Sequence, residues 1–430
     1  MVSGQWLAIA SAGLLLTFTA PAHRVDLLVI GLAGVVGGVI WRPSGGPLLV
    51  GAALPFFFFS KQLVGPLGVT PPGLVLIVSW VALIARHNSL PLKWPRTTYD
   101  LPLALFLAAA LLSLLVTEYP LLSVRELRAV ILEPVLFFWL LRALPGSAPK
   151  ALAGFLVAAT ATSVAAIAQG PLGIGGTPAE GVLRVQAWYP SANHLALMLG
   201  RAWPFLVAGA LSGRRWLWFP AGIVGLALVL TFSTGGWLGA LAGALVVVAA
   251  LGRRRLALRV GIAAAGALLL TSSLAIAGVL PERLNPLRQT GGFRLDLWLS
   301  SLEMVRDHPF LGIGPDNFAY VYQTYLREGA VAEPNLSHPH NWILHVWLEL
   351  GILGLFAFCW LIVRFWFSTR EALTKTESPW LIAGAAGAMA DVLVHGFIDN
   401  SYFLVDLAFV FWLCLALVAD VRTDVRIDST

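Results

Sequence analysis

Long apolar blocks alternate with short polar or basic breaks along nearly the whole chain. A helix needs roughly 17 to 25 apolar residues to cross the hydrocarbon of a bilayer, and about 12 to 14 segments approach that length, some of them short. Regular polar and apolar alternation, the mark of a membrane barrel, is absent. Backbone groups in lipid must find partners within their own segment. The pattern therefore predicts an all-α fold, a polytopic transmembrane helical bundle. Gln5 to Thr19 lacks a basic leader and a small-residue cleavage site, so it reads as a first retained helix and not a signal peptide. The only long polar interruption is Pro281 to Pro339. Its residues 293–307 predict a helix with an apolar stripe of Leu295, Trp298, Leu299 and Leu302, followed by a Gly and Pro turn at Leu311 to Pro315. The organisation expected is transmembrane helices with short loops over 1–280, one large helical loop over 281–340, and carboxyl-terminal transmembrane helices over 341–430. No internal repeat divides them, and they form a single functional unit.

Composition sharpens this picture. The chain is 58% hydrophobic and 12% charged over 430 residues, which excludes a soluble globular protein. A formal charge of +6 raises the question of nucleic acid, but the basic residues are scattered among loops, so no nucleic-acid partner is expected. Basic residues mark cytoplasmic loops. Arg86, Lys93 and Arg96 form one such group, then Arg142 with Lys150, Arg214 with Arg215, Arg253 to Arg255 with Arg259, Arg364, Arg370 and Lys375, and finally Arg422 and Arg426. Both termini then lie in the cytoplasm. Thr117 to Pro120, Gln169 to Ala192, Ser233 to Gly236, Pro281 to Pro339 and Gly396 to Asn400 face outward. Cys359 and Cys414 fall inside apolar spans, and no disulfide is expected of them.

The densest chemistry lies in SHPHNWILHVWLELGILGLFAF, residues 337–358. His338, His340 and Asn341 stand where a polar loop enters an apolar helix. Asn341, His345 and Glu349 then share one helix face, and ionisable groups below a membrane surface are costly unless they serve a purpose. A histidine titrates in the range suited to proton abstraction. Asn341 either caps the helix or holds His340 in one tautomer. Outward arginines at 184, 288 and 294 suit an anion such as pyrophosphate, although each alone also fits an interfacial anchor or a loop ion pair. Asp391, His395 and Asp399 form a second polar face at i, i+4 and i+8, open to a site role or a helix-packing role. Asp406 is a similar case, and Arg201, within an apolar span, requires a partner such as one of these carboxylates. Phosphate-loop, H-E-x-x-H, G-x-S-x-G and paired-cysteine patterns are missing, as is an outward D-x-D pair. Neither a metal nor a cofactor is expected.

Four segments in order resemble the O-antigen ligase and polymerase superfamily of bacterial membrane glycosyltransferases. They are YPSANHLALML, TFSTGGWLGALAGAL, FRLDLWLSSLEMVRDHPFLGIGPDNF and HPHNWILHVWLELGILGL. The resemblance covers about the carboxyl-terminal 60% of the chain and rests most on the closing H-N-x-x-L and E-x-G-x-x-G element. It implies an inner-membrane enzyme whose active site faces the periplasm. Such an enzyme transfers a saccharide from undecaprenyl pyrophosphate to an acceptor hydroxyl without metal. On matching positions His340 would be the general base, with His338 a weaker candidate. Arg184 and Arg294 would bind the pyrophosphate, with Arg288 weaker, and Asn341, Glu349, Asp391 and Asp399 would support them. Thr234 departs from the family, which often carries arginine there.

A single dominant outward loop favours a ligase acting on a lipid A core, with membrane lipids around it. A polysaccharide polymerase extending a growing glycan and a protein O-oligosaccharyltransferase are the alternatives within the superfamily. A lipid-linked saccharide transporter, built on Arg201, Glu349 and Asp391, is the alternative of another class, though the paired broken helices of transporters are not evident.

Overall fold

The computed structural model describes residues 4–21, 24–64, 67–87, 97–179, 181–280, 291–327 and 336–427. Helices dominate these residues. The strands among them form two short antiparallel hairpins, Lys61–Val64 with Leu67–Val69 and Thr177–Ala179 with Val182–Arg184. Ala148–Leu172, Ala192–Leu211, Arg254–Ile276 and Trp342–Lys375 are long and apolar enough to cross a membrane. Asp26–Trp41 and Pro43–Phe56 meet at 107°, as in a broken span or a re-entrant loop. Shorter apolar helices include Gln5–Thr19, Pro71–Arg86, Asp100–Val116, Arg215–Leu230, Thr234–Ala250 and Val405–Ala419. The all-α transmembrane class stands, and Cys359 and Cys414 are free thiols as expected.

Helices Thr234–Ala250, Pro379–Gly396 and Ala192–Leu211 pack together. Between spans, where lipid is as apolar as leucine, small residues drive association by letting backbones approach. That is the use of the glycines in TGGWLGALAGAL. A Cβ at Gly243 would lie 2.8 Å from the Gly387 carbonyl oxygen, and one at Gly384 would lie 2.4 Å from the Phe205 ring. Arg254–Ile276 is the opposite case, with only 6% of its most apolar window buried, so nearly all of it faces outward.

The large loop is seated on a break in the Trp342–Lys375 helix. Gly351 there has φ 68° and ψ −175°, a conformation essentially confined to glycine. The break frees the Leu348 carbonyl, which accepts from Ile313 N at 2.7 Å, and Ile352 N donates to the Pro309 carbonyl at 3.3 Å. The Trp347 indole donates to the same Pro309 oxygen at 2.8 Å. A Cβ on Gly351 would fall 2.0 Å from the Phe310 carbonyl oxygen. Gly351→Ala is therefore expected to destabilise the fold by about 1–3 kcal/mol, read as a lower thermal midpoint of the detergent-solubilised protein. An unchanged midpoint would contradict this account of the kink.

The expected helix is present as Gly291–Asp307, but of its apolar stripe Trp298 alone packs against the buried cluster, and the face it buries lies beside that stripe. Leu297, Met304 and Val305 are buried with Ile313, Phe318, Tyr322 and Leu348. Leu295 and Leu302 are 56% and 49% exposed. The helix buries the face that meets the loop's own Gly-Pro turn, where Ser300 and Ser301 also lie buried. Hydrophobic spacing alone did not indicate that partner. Polar bonds complete the seat. The Asn317 amide donates to Thr117 Oγ1 at 2.7 Å and Ser123 Oγ at 2.8 Å, and Arg125 pairs with Asp316 at 2.5 Å. Asp316 N donates to Glu349 Oε2 at 2.7 Å, and the other carboxylate oxygen lies 3.4 Å from His345 Nε2. Glu349 therefore serves as an anchor for the loop.

Candidate active site

Asn341 is the helix cap. Its backbone is extended, and its side-chain oxygen accepts from Ile343 N at 3.0 Å and Leu344 N at 3.2 Å, satisfying donors that a helix start leaves open. The tautomer of His340 is held elsewhere. His340 has φ 48°, a left-handed conformation uncommon for a side-chain-bearing residue and frequent where function holds strain. That twist brings His340 Nδ1 to 3.1 Å from Asp399 Oδ1, and His338 Nε2 lies 3.3 Å from the same oxygen. The two imidazoles are 4.2 Å apart between centroids. Ser337 Oγ is 2.9 Å from His338 Nδ1, and Asn400 N donates to Asp399 Oδ1 at 2.8 Å. His338 and Asp399 are buried, whereas the His340 side chain keeps 17% of its surface. With Nδ1 engaged by the carboxylate, Nε2 is the His340 nitrogen able to take a proton.

The electrostatics follow from this geometry. Burial by itself raises a carboxyl, but the hydrogen bonds from His338 and His340 outweigh it and hold Asp399 well below the usual carboxylate range. Burial pushes His338 from 6.5 down to about 4, with His340 adding repulsion and Asp399 opposing both. His338 resists protonation in the fold but not in the unfolded chain, so its contribution is complete above 6.5 and is lost as pH falls toward about 4. Asp399 adds to this only at lower pH, since its contribution is present above the ordinary carboxylate pKa and lost as pH falls through its depressed one. Acidification across the His338 window is expected to lower stability by up to about 3 kcal/mol, measured by thermal unfolding. His338→Gln should flatten that dependence, and an equally steep curve in the variant would refute the assignment.

Asp391, His395 and Asp399 were read as one polar face ending in the turn after Gly396, and the structure divides that face. Pro379–Gly396 ends before Asp399, and the turn carries that residue across to the histidines. A Cβ on Gly396 would lie 2.4 Å from the Ser401 Cβ, so this tight reversal requires glycine. Asp391 and His395 remain on the helix, 4.0 Å apart and fully buried. Gly200 and Gly239 leave the notch that Asp391 occupies. Arg201 finds backbone partners, not a direct ion pair among the described residues. It donates to the Leu197 carbonyl at 3.1 Å and the Ser401 carbonyl at 2.6 Å, with Asp391 and Asp406 acting on it at longer range. It thereby ties the Ala192–Leu211 span to the turn bearing Asp399. Asp406 accepts from the Tyr189 hydroxyl at 3.1 Å.

Arg184 ends the second hairpin. Its Nε donates to the Thr231 carbonyl at 2.7 Å and its Nη2 to Asn193 Oδ1 at 2.5 Å. Asn193 opens the Ala192–Leu211 helix, which Ser191 caps by accepting from His194 N at 3.2 Å. His194 comes next and lies within electrostatic reach of Asp399, His340 and His338. Sequence reading passed over His194, although the Asn-His pair that begins nine residues after Arg184 was a usable signal. Arg294, on the loop helix, is felt by His395, which also feels Asp399. Arg184 thus braces the start of the helix that carries His194, and Arg294 lies within electrostatic reach of His395. Arg288 lies outside the described residues. Thr234 begins its helix behind the Ser233 cap, and Gly235 beside it packs against the His395 ring.

Comparison with known proteins points to the same region. Residues 219–359 match the O-antigen ligase family model. An O-antigen ligase of Pseudomonas aeruginosa strain PAO1 is 27% identical over 135 residues, covering 29% of this chain and 31% of that relative. The alignment thus spans about a third of the curated relative's length. The matched stretch includes the Thr234 helix, the loop helix and the histidine-bearing entry to Trp342–Lys375. On the family match and the relative together, the resemblance of this chain to the O-antigen ligase superfamily of membrane glycosyltransferases holds.

Proposed function

We propose that this chain is a ligase that transfers a polysaccharide from undecaprenyl pyrophosphate to a hydroxyl of a lipid A core at the periplasmic face of the inner membrane. The observation that carries this reading is His340 at the mouth of the histidine cluster, its Nδ1 bound to a buried Asp399 and its Nε2 left to accept a proton. A carboxylate that orients an imidazole and stabilises its protonated form is the arrangement general-base catalysis requires.

The step balances simply. The acceptor O–H proton passes to His340 Nε2, the acceptor oxygen bonds to the anomeric carbon, and the bond from that carbon to the pyrophosphate oxygen breaks. The leaving group departs with its electron pair, and Arg184 and Arg294 offset its charge. One displacement of this kind inverts the anomeric centre. Pyrophosphate leaves readily, so positioning two membrane-held substrates and removing one proton account for most of the work asked of the protein. Arg184→Ala should weaken turnover about 10- to 100-fold, the value of one charged hydrogen-bonding group, with the loss concentrated in the dependence on donor lipid. Undiminished donor affinity in that variant would remove Arg184 from the pyrophosphate site.

The reading is tested with purified protein in lipid nanodiscs, supplied with a defined undecaprenyl-pyrophosphate saccharide with and without lipid A core. Mass spectrometry should detect transfer only when the core is present. Lengthening of the carrier-linked glycan without core would make the protein a polymerase, and the absence of product both with and without core would reopen the choice of acceptor and the transporter reading.

A further inference from the structure

Among the described residues, His338, His340 and Asp399 are the group of three His, Cys, Asp or Glu side chains placed to hold a metal ion, with one donor atom from each within 4.8 Å of the others. Two separations carry the argument. His338 Nε2 and His340 Nδ1 stand 3.3 and 3.1 Å from the same carboxylate oxygen. A tetrahedral zinc-class ion with bonds of about 2.0–2.2 Å holds its ligand atoms about 3.3–3.6 Å apart, so two edges of the polyhedron are nearly formed. Two imidazoles and one carboxylate suit zinc, cobalt or nickel better than magnesium or calcium, which prefer all-oxygen sites. Outer contacts are also in place. Ser337 Oγ at 2.9 Å can accept from His338 Nδ1 once Nε2 is given to a metal, the kind of support that fixes ligating histidines. The partial exposure of His340 leaves a side for a fourth ligand.

We propose that these three residues form a zinc-class transition-metal site whose occupancy switches the enzyme off. The inhibitory half rests on the role of His340 as base, and the binding half does not. Without an ion, each neutral imidazole directs its N–H at Asp399, from Nε2 of His338 and Nδ1 of His340. When an ion binds, those same nitrogens become ligands, and each proton moves to the other nitrogen of its ring. No proton is released from the two rings. His340 Nε2 then carries hydrogen and cannot accept the proton of the acceptor hydroxyl. The site proposed to depend on two histidines and a carboxylate would thus be closed by the ion those groups bind best.

The test uses the full chain in nanodiscs, stripped of metal by a chelator. Zinc is titrated against a chromophoric chelator, and cobalt is added as a spectroscopic probe. One ion per chain, with the intense visible bands of tetrahedral cobalt, is expected. His338→Gln and Asp399→Asn should each weaken binding at least about tenfold, since even outer-shell partners carry that much. Circular dichroism and size-exclusion profiles of both variants establish that they fold. Weak six-coordinate cobalt bands, or equal affinity in variants and unaltered chain, would overturn the site. In the transfer assay, zinc at the concentration that fills the site should abolish product, and chelator should restore it. Full transfer with the site occupied would overturn the inhibition. Retained transfer in His340→Ala would instead overturn the base assignment and leave the binding result standing.

Discussion

Protein carrying His340→Ala is expected to transfer saccharide about 10² to 10⁴ times more slowly than the unaltered chain, the range general bases contribute. The substitution removes Nε2, the His340 nitrogen that Asp399 does not engage, together with the Nδ1 bond to Asp399, and leaves the neighbouring bonds in place. Asn341 still caps its helix through Ile343 and Leu344, and His338 still meets Asp399. Folding and membrane insertion should therefore persist. Binding of the donor should persist as well, because Arg184 and Arg294 stand on other elements. Single-turnover transfer and carrier-lipid binding, measured on the same nanodisc preparation, separate the two quantities. Transfer within a few-fold of the unaltered chain would end the case for His340 as the base.

Asp399→Asn should cost nearly as much, by about 10² to 10⁴-fold in turnover, the scale seen when an orienting carboxylate is neutralised in a catalytic triad. An amide keeps the shape of the side chain but not its charge, so it no longer stabilises a protonated His340. It can also donate its N–H to Nδ1, which would place the His340 proton on Nε2, the nitrogen that has to be bare. The predicted signature is a lower kcat with an unchanged dependence on donor concentration. A purely structural Asp399 would instead show lowered stability with normal turnover of the folded fraction. Partial recovery in Asp399→Glu, which restores the charge at a slightly different reach, would support the positioning role.

Much of this protein was legible along the chain for a physical reason. A bilayer offers no water to backbone amides, so spans must be helices and must be apolar, and the all-α transmembrane class follows from counting such blocks. The histidines at 338 and 340 and the cap at Asn341 were also readable, because they sit together where a polar loop meets an apolar helix. The loop's seat was not readable. Leu348, Gly351, Ile313 and Pro309 come together through a break whose backbone only glycine adopts, and the apolar spacing of 293–307 gave no sign of which face would meet it. Glu349, on the same helix face as His345, was free to serve chemistry or anchoring until Asp316 N was found upon it.

The sequence by itself determined the helices, the membrane and the residue types fit for proton and phosphate chemistry, because these depend on local composition and on neighbours three or four positions apart. Only the tertiary structure decided that Asp399, 59 residues beyond His340, leaves the helix line of Asp391 and His395 to orient the histidines. The turn at Gly396 makes that possible by letting the chain reverse where a side chain would not fit. Contacts across such a distance depend on where helices stop and how closely they pack, and neither is written in the spacing of one segment.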